Sequence, residues 1–401
     1  MTQEPPYWTD PMKGEFSVTI VACDKSEGQF TTVIEEEVVR AAGGGQAGDR
    51  GKLLIGEEEV QFTDTARIEE RLSLITNRHI QPGMPATIVV DLDWRKAMMR
   101  NHTGEHLFVA AIKKRHKDTE LGYIWIDGEH GTVDLEGPAL ALDDLVQGEG
   151  EVQRLIEEEL PVETDFVKAS EVSSDVRARE GVSQKHQIIR VVKIGDFDSS
   201  ACSGIHVANT RDIGVFKIID YKAIPEGLRV EFVTGQRARQ ELTKAYNELL
   251  SRKHDYPFEI GQVGAVLDKA RVSTSQRKDL VEKVEQLLTE GPSVEEIAKV
   301  RFLHEYMAGL DSKAMRAIVK KMKLEGPSAA LLYSPSRKPT FILWTSELAG
   351  EAKDYVQETV ERLGGKGGGS RDVYTGGFSE ADSPEEIYDQ LVDGIRKSLS
   401  R

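Results

Sequence analysis

The sequence predicts an α+β protein with an N-terminal β-barrel, an α+β core, a helical arm and a small α/β C-terminal domain. Three observations lead there. Apolar and polar residues alternate at strand period up to about residue 95. Two half-sites, His102/His106 and Cys202/His206, share one spacing inside a mixed α/β stretch. From residue 236 glycine thins out and helical spacing takes over until Gly326-Pro327. The expected domains are therefore 1–95, 96–235, 236–325 and 326–401.

Composition narrows the class. The chain has 401 residues, 39% hydrophobic and 30% charged, enough for several cores in a globular protein. No run reaches the length of a membrane-spanning helix, so no membrane association is expected. The acidic, proline-rich start, Met1 to Pro6, is unlike a secretory signal. With only Cys23 and Cys202, a disulfide framework is excluded, and a reducing, cytoplasmic compartment is expected. A net charge of −16 argues against indiscriminate nucleic-acid binding and requires any such face to be local.

In chain order, Phe16, Val18 and Ile20 alternate with Ser17 and Thr19 as a strand. Leu53 to Ile55 and Val60 to Phe62 flank Gly56 as a hairpin. Ile88, Val90, Leu92 and Trp94 predict a strand running into the histidine helix. Gly43-Gly44-Gly45-Gln46 permits unusual backbone angles and close approach of a ligand, or simply a flexible surface turn. It lacks the ending of a nucleotide phosphate loop. Val152, Leu155, Ile156 and Leu160 space out an amphipathic helix that stops at Pro161. Ile188 to Val192, Val215 to Ile219 and Leu228 to Phe232 predict strands. Leu280, Val284, Leu287 and Leu288 mark the arm, and Met315, Ile318, Val319 and Met322 form an apolar stripe beside Lys313, Arg316, Lys320, Lys321 and Lys323. The final domain has strands at Ala329 to Tyr333 and Thr340 to Trp344, and a helix capped by Ser383-Pro384-Glu385-Glu386. Between its helices, Gly364-Gly365-Lys366-Gly367-Gly368-Gly369 holds more glycine than a helix stop needs; a tight functional loop and a linker both fit.

The half-sites carry the chemistry. Histidines at i and i+4 project from one helix face a turn apart and can share an ion. Cys202-Ser203-Gly204-Ile205-His206 repeats the spacing. Three imidazoles and one thiolate suit tetrahedral Zn²⁺.

These motifs together, His102-x3-His106, Cys202-x3-His206 and Gly43-Gly44-Gly45-Gln46, resemble the editing domain of alanyl-tRNA synthetases and the free-standing AlaX proteins. Gly195-Asp196-Phe197-Asp198 and Val207-Ala208-Asn209-Thr210-Arg211-Asp212-Ile213-Gly214 also resemble that family, and Gly364 to Gly369 looks like the signature of the synthetase's C-terminal domain. The order matches the long AlaX form, without the aminoacylation domain, so no ATP-dependent ligation is expected. The chain departs from the family at Ser203, Ile205, Glu105 and Arg40-Ala41-Ala42.

The resemblance implies an aminoacyl-tRNA hydrolase that removes serine, or glycine, from mischarged tRNA(Ala). It assigns His102, His106, Cys202 and His206 to zinc, and Gln46 with Gly43, Gly44 and Gly45 to the aminoacyl end. Thr103 could offer a catalytic hydroxyl, or decorate the helix surface. Lys366 and Arg371 would contact tRNA phosphates, and the arm or end domain would form a homodimer. Four protein ligands would close the zinc, which leaves a structural role open beside a catalytic one. The alternatives are a non-catalytic tRNA-binding protein with structural zinc and an editor of Ser-tRNA(Thr). A DHH-type phosphoesterase is disfavoured because no Asp-His-His sequence occurs.

Overall fold

Strands with one apolar face need a second layer over it, and the N-terminal strands supply one by closing on themselves. The computed structural model describes residues 4–26, 28–173, 176–177, 187–253, 255–256, 258–322, 325–336, 338–379 and 383–401. Lys323 of the expected basic stripe lies outside the described residues, as does the side chain of Leu288. The chain forms two compact units, Met1–Leu249 and Leu250–Arg401.

A short helix α1 (Pro6–Thr9) precedes β1 (Glu15–Ser26), β2 (Gln29–Ile34), β3 (Gly51–Ile55), β4 (Glu58–Ile68), β5 (Arg71–Thr76) and β6 (Pro85–Val90). These six strands close into a barrel of order β1-β2-β5-β4-β3-β6. Phe16, Val18 and Ile20 fill it together with Leu53, Val60, Phe62, Leu74 and Ile88. The predicted alternation stops at Val90. Asp91 accepts a hydrogen bond from the Trp94 amide at 3.0 Å and caps a helix, so Leu92 and Trp94 belong to α2 (Leu92–Arg115).

Next come β7 (Glu120–Ile126), β8 (Gly131–Glu136), α3 (Leu142–Glu157), β9 (Val162–Lys168), β10 (Ile188–Ile194), β11 (Asp198–Ala201), β12 (Phe216–Ile224) and β13 (Gly227–Thr234). They make a four-stranded sheet, β12-β13-β8-β7, and a three-stranded sheet, β11-β10-β9. Every α2 residue from Asn101 to Ile112 is buried. A helix enclosed on all sides needs partners around its whole circumference. Phe108 stacks on Phe216, and Phe216 on Phe232, at centroid distances of 5.4 and 4.8 Å. The barrel is tied to α2 by Asp49 and Arg95. Arg95 donates through Nε at 2.8 Å and Nη2 at 2.6 Å to the two carboxylate oxygens. Neither side chain is exposed.

The boundary between the units falls inside α4 (Gly235–Arg252). The second unit contains α5 (Val263–Thr289), β14 (Val294–Ile297), β15 (Val300–Tyr306), α6 (Ser312–Val319), β16 (Ser328–Ser334), β17 (Thr340–Ser346), α7 (Gln357–Arg362), β18 (Lys366–Ser370), β19 (Val373–Gly377) and α8 (Pro384–Leu399). Its sheet runs β14-β15-β16-β17-β19-β18. The two-residue period splits β16 between two cores: Leu331 and Tyr333 meet α7 and α8 residues Val360, Leu391 and Ile395, while Ala330 and Leu332 meet Met315 and Val319 of α6.

Two stretches differ from expectation. Residues 294–306, inside the segment expected to be helical, form the β14–β15 hairpin. Its turn is Ala298-Lys299, both at positive φ (51° and 71°) without the glycine or asparagine that signals such a turn. Lys366–Ser370, expected as a loop or linker, is an edge strand paired with β19. Two of its three glycines serve close packing, since a Cβ on Gly367 would lie 2.5 Å from the Tyr374 ring and one on Gly369 1.8 Å from the Val373 carbonyl, whereas Gly368 faces open space.

Removing one partner of a buried ion pair strands the other's charge. Asp49→Ala should lower the unfolding free energy by about 3–5 kcal/mol in urea titration. Glu59→Ala in the exposed Lys52–Glu59 pair should cost no more than about 1 kcal/mol. Equal losses would contradict the assigned role of the barrel–helix pair.

Candidate metal centre

His102 and His106 leave α2 one turn apart, with ring centroids 5.1 Å from each other. The turn after β11 brings Cys202 and His206 to them. His102 Nε2 lies 3.5 Å from Cys202 Sγ and His206 Nε2 lies 3.4 Å from it. One donor atom from each of the four residues falls within 4.8 Å of all the others. The three histidines are at most 8% exposed. The structure thus brings together the four residues named from sequence spacing, and together they could hold a metal ion.

Surrounding groups orient the rings. Thr103 Oγ1 donates to the Met99 carbonyl at 2.9 Å, so its only proton is used there. Its lone pairs face His206 Nδ1 and the Val207 amide, both at 3.2 Å. His206 therefore carries its proton on Nδ1 and turns the bare Nε2 to the cluster. Thr103 is therefore not on the helix surface, one of the two expectations for it: it is fully buried and its hydroxyl meets Met99, His206 and Val207. Asp198 Oδ2 faces His106 Nδ1 at 3.4 Å, and the carboxylate also meets Arg177 and Ser200. Arg190 donates to the carbonyls of Cys202 and Gly204 at 2.9 and 2.8 Å and holds the turn between the two ligands. Gly204 is required by space, since a Cβ there would lie 2.1 Å from the His102 ring.

Charge is redistributed among these groups. Burial alone would raise the Cys202 thiol, but His102 and His206 outweigh it and hold the thiol well below its ordinary value. Burial and the charge of His102 depress His206. Burial also opposes protonation of His106, yet Asp198 and the Cys202 sulfur push it up to about 10. Asp198 is held below the usual carboxylate range because His106 and Arg177 outweigh its burial. A thiolate next to an imidazolium is a donor set in which a metal cation can take the proton's place, so these residues fit a metal.

The glycine loop is held rigidly. Gly44 and Gly45 have φ of 63° and 82°. The Ile126 amide donates to Gly45 and the Ala47 amide to Ile126, each at 2.8 Å. Arg40 donates to the carbonyls of Ala41, Gly43, Gln46 and Ala47 at 2.8 to 3.2 Å. The loop is thus no flexible surface turn. It delivers a fully buried Gln46 whose Oε1 accepts from the Ile205 amide at 3.2 Å. Gln46 Nε2 is a buried donor without a hydrogen-bond partner among the described residues. A Cβ on Gly204 would be 2.7 Å from Gln46 Oε1 and 2.4 Å from His102 Nδ1, which places Gln46 beside the cluster.

Sequence reasoning missed Arg40, Arg190 and Asp198 as parts of the site. Arg190 was visible as a charge inside an otherwise apolar strand, which marks a buried partner. Arg40 stood out only as a departure. Lys366 and Arg371 lie exposed in the second unit, at the start of β18 and in the turn after it. They are not part of this cluster.

A family profile described as the threonyl and alanyl tRNA synthetase second additional domain matches residues 189–230, which include Cys202 and His206. The alanyl-tRNA editing protein AlaX-L of Pyrococcus horikoshii is 27% identical over 411 residues, covering 98% of this chain and 98% of its own. The chain is thus similar to that editing protein over 98% of its length. Alanine–tRNA ligases of Bacillus velezensis and Rhizorhabdus wittichii are 28% and 27% identical over 90% and 94% of this chain. It spans 43% and 46% of their lengths. The crystal structure of the C-Ala domain from Aquifex aeolicus alanyl-tRNA synthetase matches 27% of this chain and 99% of its own at 19% identity, with a TM-score of 0.25.

Outer groups that orient metal ligands are worth roughly 10–100-fold in metal affinity. Asp198→Asn and Thr103→Val should each weaken Zn²⁺ binding by about that factor in chelator competition. Thr65→Val, a buried barrel threonine, should leave it unchanged. Wild-type affinity in both site variants would remove the orienting role.

Proposed function

We propose that the protein is an aminoacyl-tRNA deacylase acting in trans on mischarged tRNA(Ala), with Ser-tRNA(Ala) as its substrate and Gly-tRNA(Ala) as a second. One observation supports this above others: the four-donor cluster lies beside Gln46, a buried amide donor without a partner. This arrangement occurs in a chain similar over 98% of its length to an alanyl-tRNA editing protein. His102, His106, Cys202 and His206 would hold Zn²⁺, the ion suited to three imidazoles and a thiolate. Bound there, the ion supplies a positive charge that polarises an ester carbonyl or acidifies a water.

The chain's own residues do the rest. Gly43, Gly44 and Gly45 let the aminoacyl end approach the backbone closely. Gln46 Nε2 donates to the substrate, and the Ile205 amide fixes which way the side-chain amide faces. A buried donor favours a substrate that brings an acceptor, so a seryl hydroxyl satisfies it where the alanyl methyl leaves it unpaired. Thr103 acts through His206 rather than on the substrate. In the second unit, Lys366 and Arg371 would contact tRNA phosphates.

The domain limits 1–95, 96–235, 236–325 and 326–401 are part of the proposal, with β14 and β15 assigned to the C-terminal sheet. So is a cytoplasmic location; among the described residues no helix is long and apolar enough to cross a membrane. A homodimer would use exposed apolar residues of α5 such as Leu267, Val272 and Val281. A monomer in sedimentation equilibrium at micromolar concentration would argue against it.

The shared threonyl and alanyl profile favours one second reading, an editor of Ser-tRNA(Thr). Deacylation of purified Ser-tRNA(Ala), Gly-tRNA(Ala), Ala-tRNA(Ala) and Ser-tRNA(Thr) decides between them. Wild type should hydrolyse Ser-tRNA(Ala) fastest and spare Ala-tRNA(Ala). Gln46→Ala should slow the reaction about 10²–10³-fold, the usual loss for one such donor. Cys202→Ala should lose both metal and activity. Faster hydrolysis of Ser-tRNA(Thr) would favour the second reading. Binding of tRNA with zinc present and no hydrolysis would leave a tRNA-binding protein with a structural zinc.

A further inference from the structure

We propose that Glu105 takes the proton from the water that attacks the ester, an assignment that rests on the deacylase activity proposed here. Glu105 stands between His102 and His106 in α2 and is 1% exposed. Its Oε2 lies 3.7 Å from His106 Nε2. That nitrogen is on the cluster side of the ring, because His106 Nδ1 faces Asp198 at 3.4 Å. Glu105 Oε1 is buried and has no hydrogen-bond partner among the described residues. A buried carboxyl oxygen without a donor is costly to the fold, and a function at that atom is one reason to keep it.

The other groups bordering the cluster do not offer this atom. The Thr103 hydroxyl is used by Met99, His206 and Val207. The Asp198 oxygens meet His106, Arg177 and Ser200. Gln46 presents a donor, which cannot accept a proton. The charged neighbour of Glu105 besides His106 is Arg177, whose guanidinium is engaged by Asp198 at 3.2 and 3.4 Å. Glu105 thus brings its carboxylate to the border of the donor cluster, with Oε2 facing His106 and Oε1 left without a donor among the described residues.

The step balances without an added reactant. One O–H bond of water breaks as its oxygen bonds to the ester carbonyl carbon, and the proton passes to the Glu105 carboxylate. When the adduct collapses, the bond from carbon to ribose oxygen breaks, and Glu105 returns the proton to that oxygen. The products are the free amino acid and tRNA with its hydroxyl restored.

Glu105→Gln preserves size and burial and separates this role from others. The full chain is assayed on Ser-tRNA(Ala) with metal content measured, and the Co²⁺-substituted form is examined without substrate by visible absorption. Expected are wild-type metal content and Co²⁺ spectrum, KM within about twofold, and kcat lower by roughly 10²–10⁴-fold. A changed Co²⁺ spectrum or lost metal would make Glu105 a ligand and overturn the proposal. A raised KM with kcat intact would make it a substrate contact and also overturn it. Unchanged kinetics would leave a structural carboxyl and do the same. If Glu105→Gln does not fold, Glu105→Asp, which withdraws the carboxylate by one methylene, should show the same fall in kcat; wild-type kcat would refute the role. A wild type inactive on all four aminoacyl-tRNAs overturns the deacylase reading itself, whereas an active wild type with a fully active Glu105→Gln overturns only this inference.

Discussion

Asp49 and Arg95 are both removed from water, and neither could stay there alone. Their two-pronged contact, at 2.6 and 2.8 Å, satisfies both carboxylate oxygens and two guanidinium nitrogens. Arg95 adds the carbonyls of Pro11 and Lys13, and Asp49 accepts from the Arg40 amide at 2.6 Å. The pair therefore joins three things: the segment before the barrel, the glycine loop braced by Arg40, and the helix that carries His102 and His106. A buried ion pair adds little net stability compared with apolar packing, but it tolerates few alternative arrangements. Here it specifies where the histidine helix sits relative to Gln46. The loop is held against the rest of the site by further contacts as well, from Ile126 to Gly45 and Ala47 and from the Ile205 amide to Gln46.

Around the ligands the same logic repeats at smaller scale. Thr103 sets the tautomer of His206, Asp198 faces the outer nitrogen of His106, and Arg190 ties down the turn between Cys202 and His206. Thr103 and Asp198 spend their hydrogen bonds on structure, while Arg190 Nε and His102 Nδ1 stay buried without hydrogen-bond partners among the described residues. Gln46 Nε2 and Glu105 Oε1 are buried without partners among the described residues, one a donor and one an acceptor, on the border of the same cluster. In the proposed ester hydrolysis the two would have separate tasks: the donor pairs with the seryl hydroxyl, and the carboxylate receives a proton.

Much of the architecture was legible because it depends on local period. The alternation at Phe16, Val18 and Ile20 describes a strand wherever it is placed, and Pro384 opens the last helix at its first position, although Ser383 makes no side-chain cap there. The failures were also local. Leu92 and Trp94 continue the alternation, but Asp91, held by Arg50 through Oδ2, offers Oδ1 to the Trp94 amide and starts a helix instead. The turn Ala298-Lys299 hides a hairpin because neither residue is one that favours positive φ. The glycines of β18 suggested looseness, yet at Gly367 and Gly369 the Tyr374 ring and the Val373 carbonyl leave no room for a Cβ.

For the site, sequence by itself singled out four residues that the structure brings together and that could hold a metal ion. Spacing on a helix dictates that His102 and His106 share a face, and a repeated spacing in Cys202 and His206 supplies a complementary half. It could not determine what lies between or around them. Whether Thr103 meets substrate or His206, whether Arg40 is a departure or the brace of the glycine loop, and whether Glu105 faces solvent or the cluster all depend on contacts across long sequence separations. Such contacts form only when the barrel, the helix and the two sheets pack together. Spacing along a chain predicts direction from one element; the neighbours in that direction belong to other elements, and only the tertiary structure chooses them.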